Sequence, residues 1–173
     1  GEFIAEGLQC AREALGATTG PKVKNIYLTE TGVSRIESAG LDTSGIETIL
    51  VSEPVMAAMS STITPQGILS VCEIGSSDFS DLKLDGKTKL IYLHEIQDPG
   101  NAGTILRSAD AMGIDAVITS PGSVDMYSPK VVRATAGSLW HVPLYSGITL
   151  ATISAQFPEL NKLALSSKGD TSL

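Results

Sequence analysis

Residues 91–107 constrain this chain more than any other stretch. The run Ile91-Tyr92-Leu93 is short and apolar, and it leads into Asp98-Pro99-Gly100. Pro-Gly punctuation after an apolar run reads as a strand entering a turn. Asn101 then opens a helix that holds Arg107 six residues later. A strand–turn–helix unit of this kind belongs to an open α/β sheet, where ligands collect at the carboxyl ends of the strands. The segment therefore reads as fold and candidate site together.

The rest of the second half extends the pattern. Strands are expected at Lys89–His94, Ala116–Thr119, His141–Tyr145 and Lys162–Ser166, and helices at Ala102–Met112, Pro129–Leu139 and Thr149–Phe157. Short strands alternating with helices imply a parallel sheet. The first half reads as a smaller α/β unit. Its expected helices are Phe3–Leu15, Thr31–Ala39 and Glu53–Met59, the last with Pro54 in its first turn. Its expected strands are Val23–Thr29, Gly45–Val51 and Ile68–Val71. Between the halves, the Ser/Asp-rich stretch ending at Asp85-Gly86-Lys87 has the composition of a linker. The expected division is a unit at 1–75, a linker at 76–87 and a second unit at 88–173.

Composition narrows the function classes. The chain has 173 residues and a net charge of −7. Residues 1–75 hold 4 basic and 9 acidic residues, a net −5, which leaves −2 for the remainder. Phosphate binding needs clustered Lys and Arg, so any nucleic-acid site has to be a local patch. No apolar run is long enough for a membrane helix, and the opening residues lack the basic-then-apolar pattern of a secretory signal. Cys10 and Cys72 show no metal-ligand spacing and read as small buried hydrophobes in a reducing cytosol. There is no G-x-G-x-x-G, P-loop, histidine–carboxylate metal cluster or nucleophile elbow. Hydride transfer, nucleotide hydrolysis and metal-assisted hydrolysis are therefore unsupported.

Two constellations remain. Asn101 suits a helix cap, and equally an amide turned toward a ligand. Arg107 suits a solvated helix position, and equally an anion contact. Gly100 and Gly103 would let a ligand approach the backbone closely. In the second constellation, Lys130 and Arg133 are three residues apart and share a helix face. They read either as a solvated basic edge or as a phosphate-contacting one. His94 and His141 read as structural histidines.

These residues carry a family resemblance. Asp98-Pro99-Gly100-Asn101-Ala102-Gly103-Thr104-Ile105-Leu106-Arg107 resembles the first signature motif of the SpoU (TrmH-type) RNA 2′-O-ribose methyltransferases of the SPOUT superfamily. Ser128 to Ser138, followed by His141-Val142-Pro143, resembles that family's next helix–strand segment. Phe3-Ile4-Ala5-Glu6-Gly7 and Thr64-Pro65-Gln66-Gly67 resemble its substrate-binding domain, which is similar to small ribosomal RNA-binding proteins.

The resemblance implies a small ribosomal-protein-like α/β RNA-binding domain followed by a SPOUT methyltransferase domain with a Rossmann-like parallel sheet and a trefoil knot. It implies 2′-O-ribose methylation of RNA, ribosomal RNA first, with S-adenosylmethionine as cofactor and no metal. Arg107 would be catalytic and Asn101 would position Arg107 or the ribose. Lys130, Arg133, Lys22, Lys24 and Arg35 would contact RNA, with Arg12 as a further candidate. Homodimerisation and a cytoplasmic location are implied as well. The family's later motifs, Gly-Asn-Glu-x-x-Gly, Ile-Pro-Met and Ser-Leu-Asn, do not occur in this sequence. The expectation is thus a methyltransferase domain incomplete at its carboxyl end, a polypeptide that alone binds S-adenosylmethionine poorly and does not methylate RNA. Micromolar binding in calorimetry would contradict it. The competing expectation is a non-catalytic RNA-binding relic of the same fold.

Overall fold

The computed structural model of the chain describes residues 1–75 and 78–165. The first half runs β1 (Glu2–Glu6), α1 (Leu8–Gly16), β2 (Lys22–Leu28), α2 (Glu30–Ser38), β3 (Glu47–Leu50), α3 (Glu53–Met59) and β4 (Ile68–Glu73). These strands form one mixed sheet in the order β1-β4-β2-β3. β4 is antiparallel to both β1 and β2, and β2 is parallel to β3.

The second half runs β5 (Leu90–Leu93), α4 (Pro99–Ala111), β6 (Ala116–Thr119), α5 (Pro129–Ala134), β7 (Leu144–Tyr145) and α6 (Leu150–Gln156). Its three strands are parallel, in the order β5-β6-β7. The expected α/β architecture with a parallel sheet is present.

Three expected elements differ. The helix expected over Phe3–Leu15 is a strand followed by a helix. Phe3 and Ala5 are buried on one face of β1, opposite Cys72 and Ser70 of β4. Gly7, at φ 91°, then breaks the chain direction before α1. The period-2 burial of Phe3 and Ala5 was masked by Phe3, Ile4 and Leu8, which also fit helical spacing.

The helix expected over Pro129–Leu139 stops at Ala134. Ala136 (φ 49°) and Gly137 (φ 105°) turn the chain into a single 3-10 turn, Ser138–Trp140. Gly137 is required there, because a Cβ would run into the Glu13 side chain, whose Cβ would be only 3.1 Å away. His141 consequently ends that turn, and β7 is only Leu144–Tyr145.

The strand expected at Lys162–Ser166 is absent over 162–165, and Ser166 lies outside the described residues. Leu163 and Leu165 alternate correctly, but no described strand pairs with them and both are exposed. Alternation alone does not make a strand without a partner.

Part of the expected linker is anchored. Phe79 is buried and packs edge-on against Tyr145 and Phe157, with centroids at 5.5 and 5.9 Å. The Gln156 amide donates to its carbonyl at 3.0 Å. Residues 76 and 77 lie outside the description.

The two sheets share a core. Phe3, Cys10, Ala14 and Cys72 of the first half pack with Leu106, Val132, Leu139 and Trp140 of the second. The Phe3 ring lies 5.0 Å from Tyr127 and 6.1 Å from Trp140, centroid to centroid. Burial raises the Cys10 thiol to about 11 and the Cys72 thiol to about 12, so both stay protonated near neutrality. They are core residues, as expected. No helix among the described residues is long and apolar enough to cross a membrane.

Candidate active site

α4 positions the two leading candidates. Its N-cap is Asp98, whose carboxylate accepts from the Asn101 backbone N–H at 2.7 Å. Pro99 follows in the first turn, where its missing N–H costs nothing. Asn101 is therefore not the cap. Its side chain is exposed and has no hydrogen bond among the described residues. The local reading of Asn101 as a cap is corrected in favour of the neighbouring aspartate, which leaves the amide available.

Arg107 is exposed and has neither hydrogen bond nor ion pair among the described residues. Six helical residues separate it from Asn101, about 9 Å along the axis and about 120° around it. The two therefore share a helix without touching. Of the two expected roles of Asn101, positioning Arg107 or the ribose, the structure shows no hydrogen bond to Arg107 among the described residues, and each side chain reaches outward on its own.

The remaining candidates sort clearly. Lys130 is exposed in the first turn of α5 and has no partner among the described residues. Its neighbour Val131 packs with Ala102 and Met126, so Lys130 sits beside the first turn of α4. Arg133 is committed inside the protein, paired with Glu6 at 3.4 Å and donating to the Ser61 hydroxyl. Lys24 is paired with Glu2 at 2.6 Å. Lys22 donates to the Ala17 carbonyl at 2.7 Å, and Arg35 to the Gln66 carbonyl at 2.8 Å. These four were expected to face RNA; each has a donor spent on the protein. The partners of Lys24, Arg35 and Arg133 are acids and a carbonyl distant in sequence, which spacing does not reveal.

The loops at the carboxyl ends of β5 and β6 are knitted together by groups that sequence reading passed over. Glu95, at φ 47°, donates its N–H to the Ser120 hydroxyl at 2.7 Å. The Gln97 amide donates to the Gly122 carbonyl at 2.6 Å, and Val124 N–H donates to the Ile96 carbonyl at 2.7 Å. The positive φ at a non-glycine residue is held by these contacts. No local sequence signal marks it. His94 is exposed and stacks on Tyr92.

His141 joins three elements. Nδ1 lies 2.8 Å from Asp110 of α4, and Nε2 lies 3.1 Å from Glu13 of α1. Hydrogen bonding to Asp110 raises its pKa; desolvation opposes this, and the charges of Asp110 and Glu13 add to the rise. A raised folded pKa stabilises the fold below the unfolded value of about 6.5, and that stabilisation is lost as pH rises through the folded pKa. The ring is 44% exposed, so the effect is expected at a few tenths of a kcal/mol. Urea titrations of the parent and His141→Asn at pH 5.5 and 8.5 read this directly. The parent should lose slightly more stability on going to pH 8.5 than the variant, and an equal change in both would refute the assignment.

Residues 88–172 match the SpoU rRNA Methylase family, and residues 1–70 match the MRM3-like substrate binding domain. The 23S rRNA (guanosine(2553)-2′-O)-methyltransferase RlmP of Bacillus subtilis is 37% identical over 142 residues, covering 82% of this chain and 53% of that protein. The human mitochondrial rRNA methyltransferase 3 is 29% identical over 166 residues, covering 91% of this chain and 38% of that protein. The chain thus spans about half or less of the length of these relatives. Among solved structures, the AdoMet-bound rRNA methyltransferase from Sinorhizobium meliloti aligns with a TM-score of 0.72 at 29% identity, covering 90% of this chain and 57% of that one. The SpoU methyltransferase AviRb from Streptomyces viridochromogenes shares the fold, with a TM-score of 0.76 at 22% identity over 91% of this chain and 58% of that one. With the signature residues on α4, the parallel sheet and two matching family models, the chain belongs to the SpoU rRNA methylase family.

Proposed function

We propose that this chain carries the ribose-facing part of an S-adenosylmethionine-dependent RNA 2′-O-ribose methyltransferase acting on ribosomal RNA. The observation that carries the reading is α4. It presents Asn101 and Arg107 outward with no side-chain partner among the described residues, as Lys130 and Arg12 also are, whereas Arg133, Lys24, Lys22 and Arg35 each spend a donor on the protein. Residues 1–75 are assigned to RNA binding, 76–87 to the linker and 88–173 to the methyltransferase domain. A homodimeric, knotted, cytoplasmic enzyme fits the same reading, as do the rRNA methyltransferase activities for which the relatives are named. The comparisons lend no support to a non-catalytic relic.

The chemistry follows from the side chains. In the overall transfer the 2′-oxygen would gain the methyl carbon, the donor would leave as the neutral thioether S-adenosylhomocysteine, and the hydroxyl proton would pass to water. S-adenosylmethionine supplies the electrophilic methyl group when bound. Arg107 keeps its proton, since a guanidinium pKa exceeds about 12. It therefore serves as a cation that pairs with an RNA phosphate, orients the hydroxyl and stabilises negative charge developing on its oxygen. Asn101 contacts the ribose. The loops at the carboxyl ends of β5 and β6 spend several of their donors on one another, so no residue of the chain is assigned to the donor.

Filter binding of ribosomal RNA over a range of salt tests the RNA surface. Affinity should fall steeply with salt, and Arg107→Ala and Lys130→Ala should each flatten the log–log slope by about 0.7–0.9. Lys24→Ala should leave the slope unchanged, because Glu2 already neutralises it. Salt-independent binding, or equal loss in all three variants, would overturn the assignment.

A further inference from the structure

The Glu6 carboxylate is buried at the junction of the halves, with its side chain 7% exposed. It accepts from the hydroxyls of Ser60, Ser61 and Thr62 and from the Ser61 backbone N–H at 3.0 Å. All of these donors belong to the first half. The remaining partner is Arg133 of α5 in the second half, 3.4 Å away, which also donates to the Ser61 hydroxyl. A buried carboxylate needs this many donors to stay ionised. Burial works to raise its pKa, and the serine hydrogen bonds with the Arg133 charge outweigh that and lower it.

Arg133 is followed directly by Ala134, and Ala134 is where α5 meets the catalytic helix. A Cβ on Gly103 of α4 would collide with the Ala134 Cβ and lie 2.7 Å from its carbonyl carbon. Gly103 sits two residues after Asn101 and one turn before Arg107. A short rigid path therefore runs from Glu6 through Arg133 and Ala134 to Gly103 and the two outward-facing side chains. The apolar core between the halves holds them together but is non-directional, whereas the ion pair has a defined geometry.

We propose that Arg133 is a positioning residue and not an RNA ligand: paired with Glu6, it sets the orientation of the RNA-binding half relative to the helix that carries Asn101 and Arg107. The proposal rests on the reading of α4 as the ribose-facing element, and it assigns to that site a built-in alignment device. The RNA gripped by the first half is thereby delivered to Arg107 in one register.

Spin labels at Ser38→Cys on α2 and Ser108→Cys on α4, both exposed positions, report the orientation in the full 173-residue chain. Cys10 and Cys72 are buried. The parent should give one narrow distance distribution. Arg133→Ala and the nearly isosteric Glu6→Gln should broaden or shift it alike, the double variant should add nothing further, and Arg133→Lys should restore part of the narrow peak. Ser61→Ala, which leaves the carboxylate paired, gives a milder version if the others fold poorly. An unchanged distribution in folded Arg133→Ala, or additive changes in the double variant, would overturn the proposal. Ribosomal RNA filter binding on the same proteins separates it from the functional reading. Arg133→Ala should keep the parent's salt slope, and a slope flattened by about 0.7 or more would make Arg133 a phosphate ligand and overturn the proposal. Absence of RNA binding by the parent would count against the RNA reading alone, with the distance measurement still deciding the alignment role.

Discussion

In the complete gene product, Arg107→Ala is expected to lower methyl transfer to ribosomal RNA by a factor of about 10² to 10³ in kcat, the range for removing one preorganised electrostatic contact to developing negative charge. The prediction rests on what Arg107 lacks. It is exposed on α4 and spends no donor on the described protein, so truncation removes a ligand contact and leaves the core intact. Stability should move by less than about 0.5 kcal/mol, as for an ordinary surface substitution. Arg107→Lys should recover only part of the rate. It restores the charge but not the planar fork that binds phosphate and hydroxyl together. Kinetics with labelled donor, alongside urea denaturation, read both quantities. Wild-type kcat in Arg107→Ala would remove Arg107 from the chemistry. A large loss of stability would mean that the rate effect reports folding.

Gly103→Ala should behave opposite to the helix scale. In an open helix interior, alanine for glycine gains about 0.8–1.0 kcal/mol. Here the new methyl enters the contact with Ala134, where backbone lies within 2.7 Å and no flexible side chain can swing away. The two helices must separate, and overpacking of this sort costs about 1–3 kcal/mol. Because Gly103 lies between Asn101 and Arg107, the displacement should also reduce methyl transfer while leaving both side chains chemically intact. Denaturant titration and kinetics on the same preparation check this. A stabilised, fully active Gly103→Ala would show that α4 and α5 are not packed as described.

The segments with strong local signals were legible. β6 and α3 lie where spacing places them, Gly40 with φ 65° follows α2, and the strand–turn–helix at 91–107 is present. What escaped reading depends on distant partners. Phe3 to Glu6 carries apolar residues compatible with either period, and pairing with β4 decides for the strand. α5 ends early at the positive-φ pair Ala136 and Gly137, where the Glu13 side chain, far away in sequence, leaves no room for a Cβ on Gly137. The site divided in the same way. Asn101 and Arg107 were singled out from the motif, and both lie exposed on α4. The capping role of Asp98 is a choice between adjacent residues that both cap well. Lys24, Arg35 and Arg133 look like RNA contacts by charge alone, and only the fold brings Glu2, Gln66 and Glu6 to them.

The central claim is that this chain supplies the ribose-facing residues of a ribosomal RNA 2′-O-methyltransferase. Its most direct test is a map of 2′-O-methyl groups on ribosomal RNA from cells with and without the gene. One methylated ribose should disappear without the gene, return with the wild-type sequence and stay absent with Arg107→Ala. Identical maps with and without the gene, or full restoration by Arg107→Ala, would contradict it.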